Sequence, residues 1–176
     1  MEDVRVKIHK LGEAKRPSNT FKQRLLLKMY STPILNKIKW VKHALCKEFN
    51  LPLSTSISKG FYCSAANIEV GEHTGLGNLY IRAVGKVTIG RNCSFSYNNM
   101  ILTGTHDFSD FSTVIAKPVT IGDNVWITSN VTILPGVTIG SNTVIGAGSV
   151  VTRDIPSGVF AAGNPCKVIK QINFKK

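Results

Sequence analysis

The chain has 176 residues, of which 43% are hydrophobic and 18% are charged, and its net charge is +12. This composition is that of an ordinary globular protein, so it excludes a wholly disordered chain, and the length allows one domain with a small appendage. No apolar run approaches the ~20 residues of a membrane span, and four widely spaced cysteines without a CxxC pair support neither a disulfide framework nor a zinc knuckle.

The first fifty residues carry most of the positive charge. They hold 12 Lys and Arg against 4 Asp and Glu, which is +8 of the total +12. This asymmetry indicates either an anionic partner (a nucleic acid, a lipid surface or a phosphorylated ligand) or a solvated region. No recognition-helix motif or pattern of stacking aromatics is present, so we expect no nucleic acid. The opening MEDVRVKIHK has no apolar stretch behind it, so we expect no secretory signal and a cytoplasmic protein with reduced thiols.

Residues 20–50 have helical periodicity. The segment FKQRLLLKMY predicts one short helix, and Thr32 before Pro33 predicts the N-cap and first position of another. Four aliphatic residues then fall on one face of this second helix: Ile34, Ile38, Val41 and Leu45. A basic amphipathic helix either lies on an anionic membrane surface or packs its apolar face on the next domain. We therefore predict a basic helical region over residues 1–64.

From about residue 65 the apolar period becomes six. Isoleucine or valine stands at every sixth position over one long stretch: Ile121, Ile127, Ile133, Ile139, Ile145 and Val151. Upstream, Ile89, Phe95 and Ile101 keep the same step. A helix would move such a position by about 120° each time. A short strand followed by a corner can keep it on one side, and such an internal repeat outweighs local propensity.

Three sides of six residues close a triangular coil of about 18 residues, with the large aliphatic side chain pointing inward. The segments Gly122-Asp123-Asn124 and Gly140-Ser141-Asn142 suit corners, where a positive φ is common. Stacked coils bury a continuous aliphatic column that one coil could not bury alone. We therefore predict a mainly β chain in which residues 65–176 form a parallel β-helix.

The segment IGDNVWITSNVTILPGVTIGSNTVIGAGSVVTRDIP resembles the hexapeptide-repeat acyltransferases, and the resemblance extends over about residues 65–171. The ending AAGNPCKVIKQI is similar to that of the galactoside and maltose O-acetyltransferases. The segment TGTHDFSDFSTVIAKP is closer to the colanic-acid-type acetyltransferases of bacterial surface-polysaccharide clusters. The resemblance implies a left-handed coil, although general crossover rules favour right-handed connections. It also implies acetyl-CoA as co-substrate, no metal, and a homotrimer with each active site between two subunits.

A stretch from about Thr103 to Pro118 interrupts the repeat and carries His106. A β-helix can extrude a loop at a corner without disturbing its core, and loops on rigid scaffolds often carry the chemistry. Acetyl transfer to a hydroxyl needs a base, which a neutral imidazole can supply. In the resembled family a histidine in such a loop is that base, which implies the same role for His106. Asp107, Asp110 or a backbone carbonyl could orient its ring.

The resemblance also places coenzyme A contacts on six residues: Ser129, Ala147, Thr152, Arg153, Lys167 and Lys170. The small residues among them would let the pantetheine arm approach the backbone, and the basic ones would meet the nucleotide phosphates. Trp126 either lines the site or packs outward. No nucleophilic cysteine or serine constellation is visible, so we expect direct transfer without an acyl-enzyme.

The acceptor side departs from the family. The Asn and Asp that hold the sugar in galactoside acetyltransferases align with Leu76 and Val84 here, which argues against a simple galactoside or maltose acceptor. The polar residues that we predict to bind the acceptor are Asn98, Asp107 and Asp110.

These features predict an acetyl-CoA-dependent O-acetyltransferase that acts on a saccharide in bacterial surface-polysaccharide biosynthesis, with its basic helices touching a membrane surface as an open option. An N-acetyltransferase of a nucleotide-linked amino sugar or of a small xenobiotic is the main alternative. A zinc hydratase of the γ-carbonic-anhydrase type would need three converging histidines, and the repeat region offers only His73 and His106. A non-enzymatic scaffold whose basic helices bind nucleic acid has no recognition motif to support it.

Overall fold

The computed structural model describes residues 6–10 and 16–174. From Ser56 onward the chain winds as a triangular coil, whose sides we call faces I, II and III in the order in which the chain meets them. Face I contains β2 (Ser56–Ile57), β5 (Gly75–Gly77), β8 (Ser94–Phe95), β13 (Trp126–Ile127), β16 (Val144–Ile145) and β18 (Val159–Ala162), followed by the antiparallel β19 (Lys167–Gln171). Face II contains β3 (Tyr62–Cys63), β6 (Tyr80–Arg82), β9 (Met100–Leu102), β14 (Thr132–Ile133) and β17 (Val150–Val151). Face III contains β4 (Ile68–Val70), β7 (Val87–Ile89), β12 (Val119–Ile121) and β15 (Thr138–Ile139).

The six-residue repeat forms the core of this coil. Residues one coil apart pair in parallel register, as Ile127 does with Ile145 and Ile133 with Val151. All six aliphatic residues of the repeat from Ile121 to Val151 are at most 1% exposed. Burying one such side chain contributes about 1.5–3 kcal/mol, so the column is the main source of stability. The predicted β-helix is confirmed.

The corner between faces III and I is built on asparagine rather than glycine. Asn124 and Asn142 have φ values of 56° and 58°, in the left-handed region that asparagine tolerates. The Asn124 amide donates to the Asn142 side-chain oxygen at 2.9 Å, so the two form a ladder along the corner. Gly122 is needed for space instead, because a Cβ there would lie 2.7 Å from the backbone nitrogen of Ser141.

Two helices precede the coil: α1 (Phe21–Ser31) and α2 (Lys39–Glu48), separated by a 3₁₀ turn at Leu35–Lys37. A capping box begins α1: the Thr20 hydroxyl accepts from the Gln23 backbone N–H at 3.2 Å, and the Gln23 side chain accepts from the Thr20 N–H at 2.9 Å. This cap fixes the start of the first helix.

The predicted start of the second helix at Thr32 is wrong. Thr32 is the C-cap of α1, and proline commonly follows a helix end because it cannot continue the helix. Ile34 is 76% exposed and so does not share the buried face of Val41 and Leu45. α2 begins at Lys39 and is the part of the segment that carries the apolar stripe.

The buried side chains of the helices belong to the same core cluster as the coil. Leu45 and Phe49 are fully buried, and the Tyr30 hydroxyl donates to the Ile57 carbonyl at 3.0 Å. The helices therefore cover the first coil, which begins at Ser56 rather than at residue 65. No helix in the described part of the chain is both long and apolar enough to cross a bilayer. Residues 1–5 and 11–15 of the predicted helical region lie outside the described residues.

The interruption of the repeat is a hairpin with an additional strand. β10 (Gly104–His106) and β11 (Thr113–Ala116) pair antiparallel, and β1 (Lys7–Lys10) pairs antiparallel with the other edge of β11. The sequence predicted an extruded loop, which the structure places between faces II and III, but it did not predict the strand at residues 7–10. A segment near the start of the chain is thus built into the loop that carries His106.

Candidate functional site

The His106 hairpin leaves the coil at the corner between faces II and III. The Thr103 hydroxyl anchors its base by donating to the Arg82 carbonyl at 2.6 Å and accepting from the Gly85 N–H at 2.9 Å. The Lys117 N–H donates to the Thr103 carbonyl at 2.8 Å and closes the base. The insertion is therefore held at a fixed place on the rigid coil.

A backbone carbonyl orients the His106 ring. His106 is exposed, and its Nδ1 lies 2.6 Å from the carbonyl oxygen of Phe111. Because a carbonyl can only accept, Nδ1 carries the proton of this hydrogen bond. In the neutral ring, Nε2 is then the atom with the free lone pair. The geometry decides between the orienting groups that the sequence left open and excludes both carboxylates from that role.

Asp107 and Asp110 hold the turns of the hairpin. Asp107 accepts from the backbone N–H and hydroxyl of Ser109 at 2.8 and 2.6 Å. Asp110 accepts from the backbone N–H and hydroxyl of Ser112 at 3.0 and 2.6 Å, and from the Thr113 hydroxyl at 2.5 Å. The pKa of Asp107 is lowered, chiefly by the Ser109 hydroxyl, and the pKa of Asp110 is lowered, chiefly by the Ser112 hydroxyl and then by Thr113. Their acceptor-binding role stays a prediction.

The His106 side chain is on the face of the hairpin that packs on the coil. His106 is directly opposite Val114, and Gly104 is directly opposite Ala116, so these four residues share one face of the sheet. Val114 and Ala116 are buried in one cluster with Val84. The same face of the hairpin therefore meets the coil at Val84.

A groove of about 390 Å³ lies at the same corner, on the side of the later coils. Thr152 and Arg153 line it together with Pro135 and Gly136. Because neighbouring strands are ~4.8 Å apart, Thr152 is about 10 Å from the hairpin base along the coil axis. Two of the predicted coenzyme A contacts therefore lie at the corner of the candidate base.

The other predicted contacts lie elsewhere in the chain. Ser129 and Ala147 belong to adjacent coils at the corner between faces I and II, where Ser129 accepts from Gly148 N–H through its carbonyl at 3.0 Å. Lys167 and Lys170 are exposed on β19, opposite Ala162 and Phe160. One chain therefore does not bring all six residues together, and their role in binding coenzyme A stays a prediction.

Three further residues considered for the site have structural contacts. Asn98 is at the corner between faces I and II with a φ of 57°, and its amide oxygen accepts from the Asn78 amide at 2.9 Å. Trp126 is on face I, 49% exposed, and donates to the Ser96 hydroxyl at 3.1 Å. Leu76 is fully buried in the core, so its side chain faces away from any acceptor.

Comparison with known proteins identifies the family. Residues 118–153 match the family model described as bacterial transferase hexapeptide (six repeats). Galactoside O-acetyltransferase from Escherichia coli is 39% identical over 118 residues, which are 64% of this chain and 58% of that protein. The crystal structure of a maltose O-acetyltransferase from Clostridium difficile 630 superposes with a TM-score of 0.79 at 35% identity, over 86% of this chain and 85% of that chain.

The chain belongs to the hexapeptide-repeat acetyltransferases. The family prediction and the left-handed β-helix that it implied are both confirmed. The structure of a galactoside acetyltransferase in complex with coenzyme A has a TM-score of 0.68 at 33% identity, over 86% of this chain and 79% of that chain. The match covers 58% of the length of the E. coli galactoside O-acetyltransferase, so the chain spans less than two thirds of that protein.

The cysteines of this acetyltransferase are not available as nucleophiles. All four are free and buried. Burial raises the pKa of each thiol, to about 12 for Cys63, which keeps the sulfur protonated near neutral pH. Within residues 6–10 and 16–174, no three His, Cys, Asp or Glu side chains converge as a metal site would require. Direct transfer without an acyl-enzyme stays a prediction.

One group of candidate functional residues beside the hairpin was not predicted from the sequence. Arg16, Arg24 and Arg82 line a common cavity on face II. The positive charge of the first fifty residues was a signal for two of them, but nothing in the sequence placed them next to Arg82. Only the docking of the N-terminal segment on face II brings the three together.

Proposed function

We propose that this protein moves an acetyl group from acetyl-CoA to a hydroxyl of a saccharide, with His106 as the general base. The observation that carries the proposal is the hydrogen bond from His106 Nδ1 to the Phe111 carbonyl. It fixes the tautomer in which Nε2 can accept a proton, at the coil corner that also carries Thr152 and Arg153. The family membership of the chain and the coenzyme A complex of its structural neighbour support acetyl-CoA as the donor.

In the proposed reaction His106 acts twice. Nε2 takes the proton of the acceptor hydroxyl while the oxygen attacks the thioester carbonyl carbon, and a tetrahedral intermediate forms. When this intermediate collapses, the C–S bond breaks, and the imidazolium returns the proton to the departing coenzyme A sulfur. Nδ1 stays bonded to Phe111 throughout, which stabilises the imidazolium and keeps the ring in place.

We propose that the complete site forms between subunits of a homotrimer. Ala147 and Thr152 lie at different corners of the same coil, five residues or about 16 Å of extended backbone apart. A second copy that brings one corner against the other would gather both groups of predicted contacts in one intersubunit groove. The expected assembly is three chains of 19.2 kDa, which sedimentation equilibrium can measure.

The biological setting that we propose is the synthesis of bacterial surface polysaccharides. A role in bacterial surface-polysaccharide biosynthesis agrees with the similarity of TGTHDFSDFSTVIAKP to the colanic-acid-type enzymes. The location we propose is cytoplasmic, with the basic helices at a membrane surface. Charge reversal at two exposed lysines of α2, Lys39→Glu and Lys47→Glu, leaves the buried face of the helix intact. Co-sedimentation of this variant with anionic vesicles tests the membrane contact, and binding equal to that of the wild type would contradict it.

The test of the activity is coenzyme A release with hydroxyl and amine acceptors. We expect His106→Ala to lower kcat by about 10²–10⁴-fold and to leave coenzyme A affinity within about twofold, because the base acts only on the acceptor. His43→Ala is the matched control, since His43 is exposed on α2. Full turnover of His106→Ala would refute the role of this residue. Release with amines but not with hydroxyls would instead identify an N-acetyltransferase.

A further inference from the structure

A cavity of about 320 Å³ lies on face II, on the side of the hairpin opposite to the Thr152 groove. Arg16 and Arg24 come from the N-terminal segment and α1, and Arg82 comes from β6. Among the residues that the structure describes, no carboxylate lines this cavity. Three arginines that line one cavity without a lining acid make it a suitable site for a negatively charged group.

One of these arginines has unused hydrogen-bonding capacity. Arg16 Nη2 is buried from solvent and has no hydrogen-bond partner among the described residues. A buried guanidinium N–H without an acceptor is costly, and a planar carboxylate or a phosphate is the acceptor that fits guanidinium geometry. Because Nη2 is enclosed by protein, Arg16 contributes mainly its positive charge, and the guanidinium donors open to an anionic ligand are those of Arg24 and Arg82, which are exposed.

The wall of the cavity continues into an aromatic platform. Tyr62 lines the cavity and stacks on Tyr80, with ring centroids 5.1 Å apart and an interplanar angle of 17°. Both rings are more than one third exposed. Exposed aromatic faces with a polar edge suit the apolar C–H face of a sugar ring as well as its hydroxyls. The platform favours a saccharide over a small inorganic anion.

The cavity also reaches the hairpin that carries His106. Val84 lines it, and Gly104 lies so close to Val84 that a Cβ on Gly104 would be 3.1 Å from the Val84 side chain. His106 is two residues further along β10, or about 7 Å, on the same face of the hairpin. One sugar ring spans such a distance. An anionic group among the arginines would therefore leave a hydroxyl within reach of Nε2.

The basic surface around the first cavity is longer than one sugar ring. A second cavity of about 410 Å³ shares Arg24 and Tyr62 with the first and adds Lys28 from α1. The two cavities are neighbours, since Arg24 and Tyr62 line both of them. A chain of several sugars fits two neighbouring cavities better than a monosaccharide does.

We propose that the acceptor is an anionic saccharide, whose carboxylate or phosphate is bound by Arg16, Arg24 and Arg82 while a hydroxyl reaches His106. This inference rests on the proposed acetyl transfer and names its substrate class. It also accounts for Val84, which stands where the galactoside enzymes have an acidic residue: a carboxylate at that position would repel an anionic acceptor.

The kinetic test compares matched acceptors that differ in charge. These are methyl glucoside, methyl glucuronide for a carboxylate and glucose 6-phosphate for a phosphate, each assayed by coenzyme A release. We expect one of the anionic acceptors to have at least tenfold higher kcat/KM than the neutral one. Arg82→Ala and Arg24→Ala should each remove most of that preference by raising KM, and Arg82→Lys should keep part of it. Arg91→Ala is the control, because Arg91 pairs with Asp123 at a distant corner.

A binding test separates this inference from the proposed function. Isothermal titration calorimetry of oligoglucuronate and of a neutral glucan of equal length, with the wild-type protein and with Arg82→Ala, needs no turnover. Tighter binding of oligoglucuronate that weakens in Arg82→Ala supports the inference even without activity. Equal binding of both glycans, or equal kcat/KM for neutral and anionic acceptors in an active enzyme, overturns it and leaves acetyl transfer intact. The relative rates of the carboxylate and phosphate acceptors identify the anion.

Discussion

The turn at Asp110 provides a test that separates a positioning role from acceptor binding. Asp110 accepts three hydrogen bonds from Ser112 and Thr113, and these bonds close the turn that presents the Phe111 carbonyl to His106. Asp110→Ala removes all three, while the bond from Thr113 N–H to the Asp110 carbonyl remains. A base misplaced by about 1 Å loses about 10²-fold in rate, so we expect kcat to fall about 10- to 100-fold with acceptor KM within about twofold.

Two variants serve as controls for Asp110→Ala. Asp110→Asn keeps an oxygen for the Ser112 N–H, so it should retain most of the rate. Asp107→Ala should lower kcat less than threefold, because the Asp107 bonds end on Ser109 and do not reach Phe111. Steady-state kinetics with varied acceptor gives both constants. A raised KM with unchanged kcat in Asp110→Ala would refute the positioning role and support the acceptor contact that the sequence predicted.

The ionisation of Asp110 allows a prediction of how the effect of Asp110→Ala on kcat depends on pH. Hydrogen bonds from Ser112 and Thr113 lower the pKa of Asp110, so the carboxylate is held ionised by the folded hairpin. The stabilisation that these bonds give to the folded hairpin is therefore fully present above the pKa that Asp110 has in the unfolded chain. It is lost only as the pH falls through the lowered pKa that Asp110 has in the folded protein. The ratio of wild-type to Asp110→Ala kcat should be constant from about pH 5.5 to 9. A ratio that changes within this range would contradict the assignment.

Three further predictions concern the coil and its thiols. Asn124→Gly should be more stable than Asn124→Ala by roughly 1 kcal/mol in urea denaturation, because alanine is strained at a φ of 56°; the opposite order would contradict the corner assignment. The native protein should resist thiolate-directed alkylation at pH 8 and react at four cysteines once unfolded, since burial raises every thiol pKa; rapid native labelling would show that the coil opens. Arg153→Ala should raise the KM for acetyl-CoA about three- to tenfold in steady-state assays, and an unchanged KM would remove Arg153 from the donor site.

The coil was predictable because its core obeys one simple rule. Each side of the prism needs one inward aliphatic residue every six positions, and Ile121 to Val151 follow that rule without exception. The first coil was missed because its inward positions include Cys63, and glycine and polar residues obscure the period there. The corner asparagines were predicted, but the reason for Gly122 was not, since it depends on the coil stacked above it.

The site was only partly predictable, for a different physical reason. His106 could be predicted because it lies in a segment that interrupts the six-residue repeat, and such an interruption is visible in the local sequence. The partner of its ring is a backbone carbonyl, and a carbonyl has no sequence signature. The strand at residues 7–10 pairs with a segment more than a hundred residues away, and the arginine cavity joins three separate parts of the chain. Long-range contacts of this kind are set by how the coil, helices and hairpin pack together.

The pairing of β1 with β11 also sets an order of events during synthesis. The early coils can stack as they leave the ribosome, because each needs only the one before it. Residues 7–10 must wait for about a hundred more residues, which takes roughly 5–20 s at ordinary rates of translation. Until then this strand has two unpaired edges, and Lys7 and Lys10 at its ends discourage it from pairing with another nascent chain.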